Sequence, residues 1–283
     1  MNSLKSYKTP LRYPGGKSRA CKKMDQYFPD LRNYVEFREP FLGGGSVAIH
    51  VSKKYPHLKI TVNDLYEPLV NFWMNLQMFG AELSEELKKL KLVHNDPDLA
   101  RGLFNNSKEI INNKKSIDFD RAIAFYIVNK CSFSGLTESS SFSAQASNSN
   151  FSLRGIEKLI MYQEIVSNWH INGYSYEHLM VNDMHEGIFM YLDPPYDIKD
   201  NLYGHKGSTH KGFDHDRFAA DCNKYSNITM MVSYNSDQLV KDRFKDWNAA
   251  EFDLTYTMRS VGEYMKEQKT RKELLLCNYQ IGE

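Results

Sequence analysis

Four consecutive residues, Asp193, Pro194, Pro195 and Tyr196, follow the apolar run FMYL and carry the strongest chemical signal in the chain. A carboxylate at the carboxyl end of a parallel strand lies where α/β folds bind ligands. The two prolines fix the backbone and lack N–H donors, so nearby carbonyls can accept hydrogen bonds from another molecule. Together with the flat tyrosine ring, these residues predict a slot for a planar amine, which needs two acceptors and an aromatic face. The alternative is a proline-rich turn with an ordinary surface aspartate.

A glycine-rich loop, Glu39-Pro40-Phe41-Leu42-Gly43-Gly44-Gly45-Ser46, is the second candidate site. Glycines allow the backbone to approach a ligand closely, and the N-terminus of a following helix offers free N–H groups. The loop lacks the G-x-G-x-x-G pattern and a Walker lysine, so its ligand need not be a pyrophosphate. A loop that only turns the chain is the alternative.

Two shorter motifs could complete a binding site. Asn63-Asp64 ends the second β-prone run, and an acid about twenty residues after a glycine loop can accept hydrogen bonds from both ribose hydroxyls of a nucleoside. A helix cap is the alternative for Asp64. Near the start of the chain, the Pro-Gly-Gly turn between Tyr13 and Lys17 would hold a ring and an ammonium on a ligand, with the lysine facing a carboxylate. A plain turn is the alternative there.

The surrounding elements have the rhythm of an α/β sheet. β-prone runs at 34–38 and 59–63 are each followed by a helical pattern, and strand signals return at 187–193, 228–234, 251–258 and 273–280. Helices are predicted to begin at Asp214 and Asp237. Residues from about 66 to 166 instead predict helices without a convincing strand, and the Ser- and Asn-rich segment 137–152 predicts a long loop. We therefore predict a domain made of 1–72 and 173–283, with a helical insert at 73–172.

Composition sets limits on the class of protein. A chain of 283 residues with 41% hydrophobic and 25% charged residues can bury a full core. It has no apolar run near the ~20 residues that span a bilayer and no signal-peptide pattern at its start, so we expect a cytoplasmic protein without membrane partners. Its four cysteines lie far apart, which argues against zinc and disulfides. The net charge of +1 supports a nucleic-acid partner only weakly, although the first 24 residues hold several Lys and Arg and no acid.

In chain order the motifs are Y-P-G-G-K, E-P-F-L-G-G-G-S, N-D, a helical stretch and D-P-P-Y. In this order the chain resembles the Dam-like, alpha-group family of DNA adenine-N6 methyltransferases. The resemblance covers both α/β portions and reaches into the insert, where residues 129–136 (NKCSFSGL) are similar to the family's N-R-x-x-[FY]-N-G-L segment. It implies a Rossmann-like sheet that binds S-adenosyl-L-methionine, with a helical target-recognition insert.

The resemblance also implies roles for individual residues. The catalytic residues would be Asp193, Pro194, Pro195 and Tyr196. Contacts with S-adenosylmethionine would come from Tyr13, Lys17, Glu39, Phe41, Gly43, Asp64, Ser175, Tyr176 and Asp193; the segment Tyr174 to Tyr176 lacks the acid that the family often has there. Contacts with DNA would come from Lys130, Phe133, Ser134 and Glu138. No residue is expected to bind a metal.

The expected reaction is transfer of a methyl group from S-adenosylmethionine to N6 of an adenine flipped out of double-stranded DNA, by a monomeric enzyme in a bacterial or phage-infected cell. Three alternatives stay open. D-P-P-Y also serves cytosine N4; a catalytically silent DNA-binding relative would keep a basic cleft and lose the acceptor slot; and a nicotinamide-dependent oxidoreductase is disfavoured by the missing G-x-G-x-x-G.

Residue 138 bears on sequence specificity. Dam-type enzymes that read GATC carry an arginine two residues after the G-L pair, which suits the two acceptors of guanine. This chain has Glu138 there, and a carboxylate accepts from a cytosine amino group instead of donating to guanine. We therefore expect adenine methylation outside a strict GATC context, unless Glu138 is only a solvated loop residue.

Overall fold

The sheet that positions the candidate motifs has seven strands. The computed structural model describes residues 8–13, 15–133, 140–180, 187–196, 212–254 and 271–282. The strands are β1 (Glu36–Glu39), β2 (Lys59–Asn63), β3 (Trp169–Asn172), β4 (Ile188–Leu192), β5 (Thr229–Asn235), β6 (Asn248–Leu254) and β7 (Arg271–Cys277). Their order across the sheet is β3-β2-β1-β4-β5-β7-β6.

Strand direction creates a ligand-binding edge. Strands β1 to β5 run parallel, whereas β7 lies antiparallel between β5 and β6. The chain reverses its direction of winding between β1 and β4, which are neighbours in the sheet and far apart in sequence. In open α/β sheets, ligands bind at the carboxyl ends of the strands at such a switch point. The glycine loop follows β1 and D-P-P-Y follows β4, so both motifs lie there.

The helices of the described residues fall into two groups. Those next to the sheet strands in sequence are α1 (Cys21–Met24), α2 (Ser46–Lys54), α9 (His215–Lys224) and α10 (Gln238–Arg243). Between β2 and β3 lie α3 (Glu67–Val93), α4 (Pro97–Ile111), α5 (Asp118–Cys131), α6 (Ala144–Ser149), α7 (Leu153–Glu157) and α8 (Leu159–Val166). The helices predicted after Asp214 and Asp237 are confirmed, because both aspartates cap the helices that follow them.

The core consists of two apolar layers. Successive side chains of a strand point to opposite faces of a sheet. Accordingly, Phe189 and Tyr191 of β4 belong to one buried cluster, and Met190 and Leu192 to the other. The first cluster continues into α3, α4 and α5 without a break, for example through Phe125. The helices between β2 and β3 therefore share their core with one face of the sheet.

The structure differs from the sequence-based expectations in two places. The predicted long loop at 137–152 is wrong for 144–149, which form α6; Ser143 caps this helix by accepting from the N–H of Ala146 at 3.2 Å. The sheet also gains β3, which the sequence did not predict. The proposed domain boundaries stay a prediction, with α3 continuing through residues 72 and 73 and β3 pairing with β2 before residue 173.

Candidate active site

A cavity of about 180 Å³ opens at the switch point of the sheet. One enclosed water needs only ~10 to 15 Å³ measured in this way, so the cavity has room for a ligand of many atoms. All the residues predicted as catalytic or cofactor-binding line it: Tyr13, Lys17, Glu39, Phe41, Gly43, Asp64, Ser175, Tyr176, Asp193, Pro194, Pro195 and Tyr196. The structure thus brings these motifs together, while the role of each residue stays a prediction.

The glycine loop after β1 packs tightly under Tyr13. Gly43 has φ +49° and Gly45 has φ +67°, both in the left-handed region that favours glycine. A Cβ atom on Gly43 would lie 2.8 Å from Cε1 of Tyr13. The Gly43 carbonyl accepts from Nε1 of Trp73 at 3.2 Å. Glycine is therefore required at position 43 both by backbone conformation and by the close approach of the ring.

The end of β2 holds this loop in place. Asp64 accepts through Oδ2 from the N–H of Gly43 at 2.8 Å and through Oδ1 from the N–H of Tyr66 at 3.0 Å. Burial raises the pKa of Asp64, and the backbone N–H groups oppose that change. Asn63 donates to the carbonyls of Pro40 and Tyr174, at 3.0 and 2.9 Å. This residue pair joins the chain segments that follow β1, β2 and β3.

Glu39 is a buried carboxylate between β1 and α2. Its Oε2 accepts from the N–H of Ala48, at 2.8 Å, in the first turn of α2. Burial, followed by the charge of Asp193, raises the pKa of Glu39 well above its usual value. The side chain therefore supports the N-terminus of α2.

Asp193 is anchored through one oxygen. Oδ1 accepts from Ser233 at 2.9 Å and from Tyr196 at 3.1 Å, and it lies 3.1 Å from Nζ of Lys17. Within the described parts of the chain no group donates to Oδ2. The Asp193 side chain is 21% exposed. One face of the carboxylate is thus fixed, and the other is available to a ligand.

A cluster of charges stands behind Asp193. Lys17 is only 2% exposed, and its Nζ lies 3.0 Å from Oε1 of Glu273 and donates to the Tyr196 hydroxyl at 2.6 Å. That hydroxyl also lies 2.8 Å from Oε1 of Glu273. Burial alone would lower the pKa of Lys17, but Asp193 and Glu273 raise it well above its usual value. For Asp193, burial raises the pKa, Lys17 opposes the increase, and Glu273 adds to it.

Sequence reasoning missed Glu273 and Ser233. Both lie on strands of the sheet, where nothing in the local pattern marks a functional residue. The available signal was a single acid at the start of the apolar run ELLLC, since a carboxylate is rarely buried without a partner.

The chain around this cavity matches a known protein family. Residues 13–258 match the sequence model of the D12 class N6 adenine-specific DNA methyltransferases. The chain belongs to this family. It is therefore an S-adenosylmethionine-dependent DNA methyltransferase that modifies adenine. The matched region includes the cavity, the helices between β2 and β3, and the D-P-P-Y motif.

Two curated proteins and one solved structure are similar to this chain. The methyltransferase is 25% identical over 293 residues to the type II methyltransferase M1.LlaDCHI of Lactococcus lactis subsp. cremoris, with 99% of each chain covered. It is 27% identical over 133 residues to the type II methyltransferase M.MjaIII of Methanocaldococcus jannaschii, covering 44% of this chain and 46% of the relative. The N-terminal domain of human METTL16 in complex with SAH aligns with a TM-score of 0.38 and 8% identity, covering 97% of this chain and 72% of that one.

Two of the predicted DNA contacts of the methyltransferase, Lys130 and Phe133, lie at and just after the end of α5. Arg12 and Asn129 exchange two hydrogen bonds between backbone and side chain, at 2.9 and 2.7 Å, which tie the N-terminal segment to this helix. Lys130 is nearly buried, and burial followed by repulsion from Arg12 lowers its pKa to about 8. Phe133 is 43% exposed. Ser134 and Glu138 lie outside the described residues, so all four DNA contacts stay predictions.

The described residues of the methyltransferase include neither a membrane-spanning helix nor a metal-binding cluster. No helix among them combines the length and apolar character that crossing a membrane requires. The same residues contain no group of three or more His, Cys, Asp or Glu side chains that could hold a metal ion.

Proposed function

We propose that the methyltransferase modifies an adenine that has been rotated out of double-stranded DNA into the cavity beside Asp193. The observation that carries this proposal is the asymmetry of the Asp193 carboxylate, whose Oδ1 lies within 3.1 Å of the polar groups of Ser233, Tyr196 and Lys17, while Oδ2 has no donor among the described residues. A base inside a duplex cannot reach such a slot, so the target must leave the stack.

Asp193 and Pro194 would activate the amino group. The N6 lone pair of adenine is delocalised into the ring and is a weak nucleophile. If Oδ2 of Asp193 and the Pro194 carbonyl each accept one amino hydrogen, electron density collects at N6, and the transition state is stabilised as positive charge develops there. Among the described residues none donates to the Pro194 carbonyl, so both acceptors are available.

Asp193 acts in this proposal as an acceptor and not as a general base. Once N6 carries the new methyl group, it has a positive charge and loses a proton readily to water. The fixed position of Oδ1 suits an acceptor, because positioning supplies much of the rate when two groups are held in line. When bound, S-adenosylmethionine supplies the sulfonium methyl group that is transferred.

The cavity residues fit this cofactor. Asp64 keeps free acceptor capacity, because a carboxylate has about four lone-pair sites and the donors that reach it among the described residues are the backbone N–H groups of Gly43, Tyr66 and Leu65. Phe41 and Tyr176 stack with 5.5 Å between ring centroids, and Phe213 lies edge-on to Phe41. These rings offer a wall for the adenine of the cofactor, and the acids that line the cavity suit its positive charge. We therefore assign the ribose to Asp64 and the adenine to the Phe41 and Tyr176 side.

The motif order supports a finer classification. We infer that the chain is a Dam-like, alpha-group enzyme, because the glycine loop precedes D-P-P-Y and the recognition helices lie between them. We further propose that it acts as a monomer on DNA in the cytoplasm of a bacterial or phage-infected cell. Sedimentation of the protein with and without a duplex would test the oligomeric state, and a dimer in both samples would contradict it.

The deciding experiment is product identification. The protein is incubated with S-adenosylmethionine labelled on the methyl group and with mixed-sequence duplex DNA, which is then digested to nucleosides. Label in N6-methyl-2′-deoxyadenosine supports the proposal, and label in N4-methyl-2′-deoxycytidine would contradict it. The Asp193→Ala variant is the control, because it should release far less labelled nucleoside under the same conditions.

A further inference from the structure

Glu273 is a carboxylate in a place where a strand normally carries an apolar side chain. It is fully buried on β7, opposite Asn235 of β5, at the start of the run Glu273 to Cys277. A buried charge is unfavourable unless it is paired and hydrogen-bonded. Its polar neighbours include Lys17 at 3.0 Å and the Tyr196 hydroxyl at 2.8 Å, both of which also contact Asp193.

The Tyr196 hydroxyl has a single proton, and its contacts indicate which carboxylate accepts that proton. Lys17 donates to this hydroxyl at 2.6 Å, so the tyrosine proton must be directed to another acceptor. Glu273 lies closer to the hydroxyl than Asp193 does, at 2.8 Å against 3.1 Å. Glu273 is therefore the preferred acceptor for the tyrosine proton, and Asp193 keeps more of its electron density.

Charge balance leads to the same conclusion. The Lys17 ammonium lies between two carboxylates at nearly equal distances, 3.1 Å from Asp193 and 3.0 Å from Glu273. If Glu273 carried no charge, the whole attraction of the ammonium would fall on Asp193. A carboxylate whose charge is balanced in this way is a weaker hydrogen-bond acceptor, and it stabilises less of the positive charge that develops on an amino group.

We propose that Glu273 is a positioning residue for methyl transfer, which holds Lys17 and Tyr196 against Oδ1 of Asp193 and shares the charge of Lys17, so that Oδ2 stays a strong and correctly aimed acceptor. This inference rests on the proposed role of Asp193 as the acceptor for the adenine amino group. Glu273 itself is not among the residues that line the cavity, so in this proposal it acts through Lys17 and Tyr196.

The test is the Glu273→Gln variant, which keeps the shape of the side chain and removes its charge. The rate of methyl transfer in a single turnover should fall about 10- to 100-fold, the value of one hydrogen bond to a charged group. Dissociation constants for S-adenosylmethionine and for duplex DNA, measured by calorimetry, should each change by less than about threefold. The loss should thus appear in the chemical step and not in binding.

The pH profile separates positioning from a structural role. Activity requires ionised Asp193, whose pKa is raised by Glu273, so the acidic limb of the single-turnover rate should move to lower pH in Glu273→Gln. The other groups that face Asp193 are unchanged in this variant; they are Lys17 from the N-terminal segment, Glu39 from β1, Tyr191 from β4, Tyr196, and Ser233 and Tyr234 from β5.

Two further variants are controls. Glu273→Asp keeps the charge and should retain the wild-type position of the acidic limb with a higher rate than Glu273→Gln, and it also serves if the glutamine variant does not fold. Glu251→Gln makes the same chemical change on the neighbouring β6, where the carboxylate pairs with Lys241, and should leave the rate unchanged.

A wild-type rate in Glu273→Gln, or a reduced rate with an unmoved acidic limb, would overturn the inference. Failure of the underlying function has a different signature, since the Asp193→Ala variant would then keep its activity whatever Glu273→Gln does.

Discussion

The backbone N–H of Gly43 donates to Oδ2 of Asp64 across 2.8 Å, so the loop after β1 is fixed by the residue that follows β2. The same carboxylate is the proposed partner of the cofactor ribose. One side chain therefore fixes the loop and lines the cavity. Its loss should weaken cofactor binding by removing the proposed ribose contact and by loosening the loop.

Asp64→Ala should weaken binding of S-adenosylmethionine with little change in affinity for DNA, because its proposed partners are ribose hydroxyls and not phosphates. Calorimetric titration with each ligand separately measures this. Asp64→Asn, which keeps one acceptor oxygen, should give an intermediate affinity. A variant that lost affinity for DNA alone would show that Asp64 is misassigned.

Gly43→Ala should also reduce cofactor affinity, because the new Cβ would approach Cε1 of Tyr13 to 2.8 Å and the residue would be strained at φ +49°. Such strain amounts to roughly 1–3 kcal/mol. Gly102→Ala is the matched control, since Gly102 lies within α4 with no atom within 4 Å of a new Cβ. It should raise the free energy of unfolding by roughly 0.5–1 kcal/mol. Equal cofactor affinity in the two variants would contradict the prediction.

Asp193→Ala should lower the single-turnover rate by ~100- to 1000-fold, the usual effect of losing one preorganised electrostatic contact. Rapid-quench measurement with a saturating duplex gives this rate directly. As a control, Asp216→Ala removes an acid on α9 whose side chain is 82% exposed, and it should retain the wild-type rate. Near-normal turnover by the Asp193 variant would rule out the proposed mechanism.

Tyr196→Ala should weaken stacking of the flipped base by on the order of 1 to 3 kcal/mol, and Tyr196→Phe should be milder because it keeps the ring. Fluorescence of a 2-aminopurine at the target position would report how far the base leaves the helix in each variant. If the phenylalanine variant were as impaired as the alanine variant, the hydroxyl between Lys17 and Glu273 would matter more than the ring.

Single-molecule sequencing of a methylated genomic substrate tests the prediction from Glu138. We expect methylation of adenines outside a strict GATC context, because a carboxylate cannot donate to guanine and can accept from cytosine. Glu138→Arg should then change the set of methylated sites. Modification confined to GATC in the unaltered protein would contradict this reading of residue 138.

The sequence predicted the site better than its surroundings. Three of the predicted motifs are local patterns at strand ends: the glycine loop, Asn63-Asp64 and D-P-P-Y. Parallel strands place their carboxyl ends at the same edge of the sheet, so the proximity of these motifs could be predicted from the sequence alone. Glu273 and Lys17 come from opposite ends of the chain and meet because β7 lies between β5 and β6, an arrangement with no local signature in the sequence. The strand Trp169–Asn172 was missed because it is a short edge strand with half-exposed polar residues, and lacks the apolar run that marks the central strands.

The pairing of β2 with β3 has a consequence for folding kinetics. The chain leaves the sheet at Asn63 and returns at Trp169, yet the two strands form a parallel ladder in which Ile60 lies opposite Trp169. Pairing across so long a separation requires closure of a large loop, which slows folding when the intervening chain is unstructured. Helices α3 to α8 shorten that loop once they have packed. We therefore expect β3 to pair with β2 only after helices α3 to α8 have packed. Substitutions that loosen the packing of these helices should slow the addition of β3 more than the pairing of the central strands.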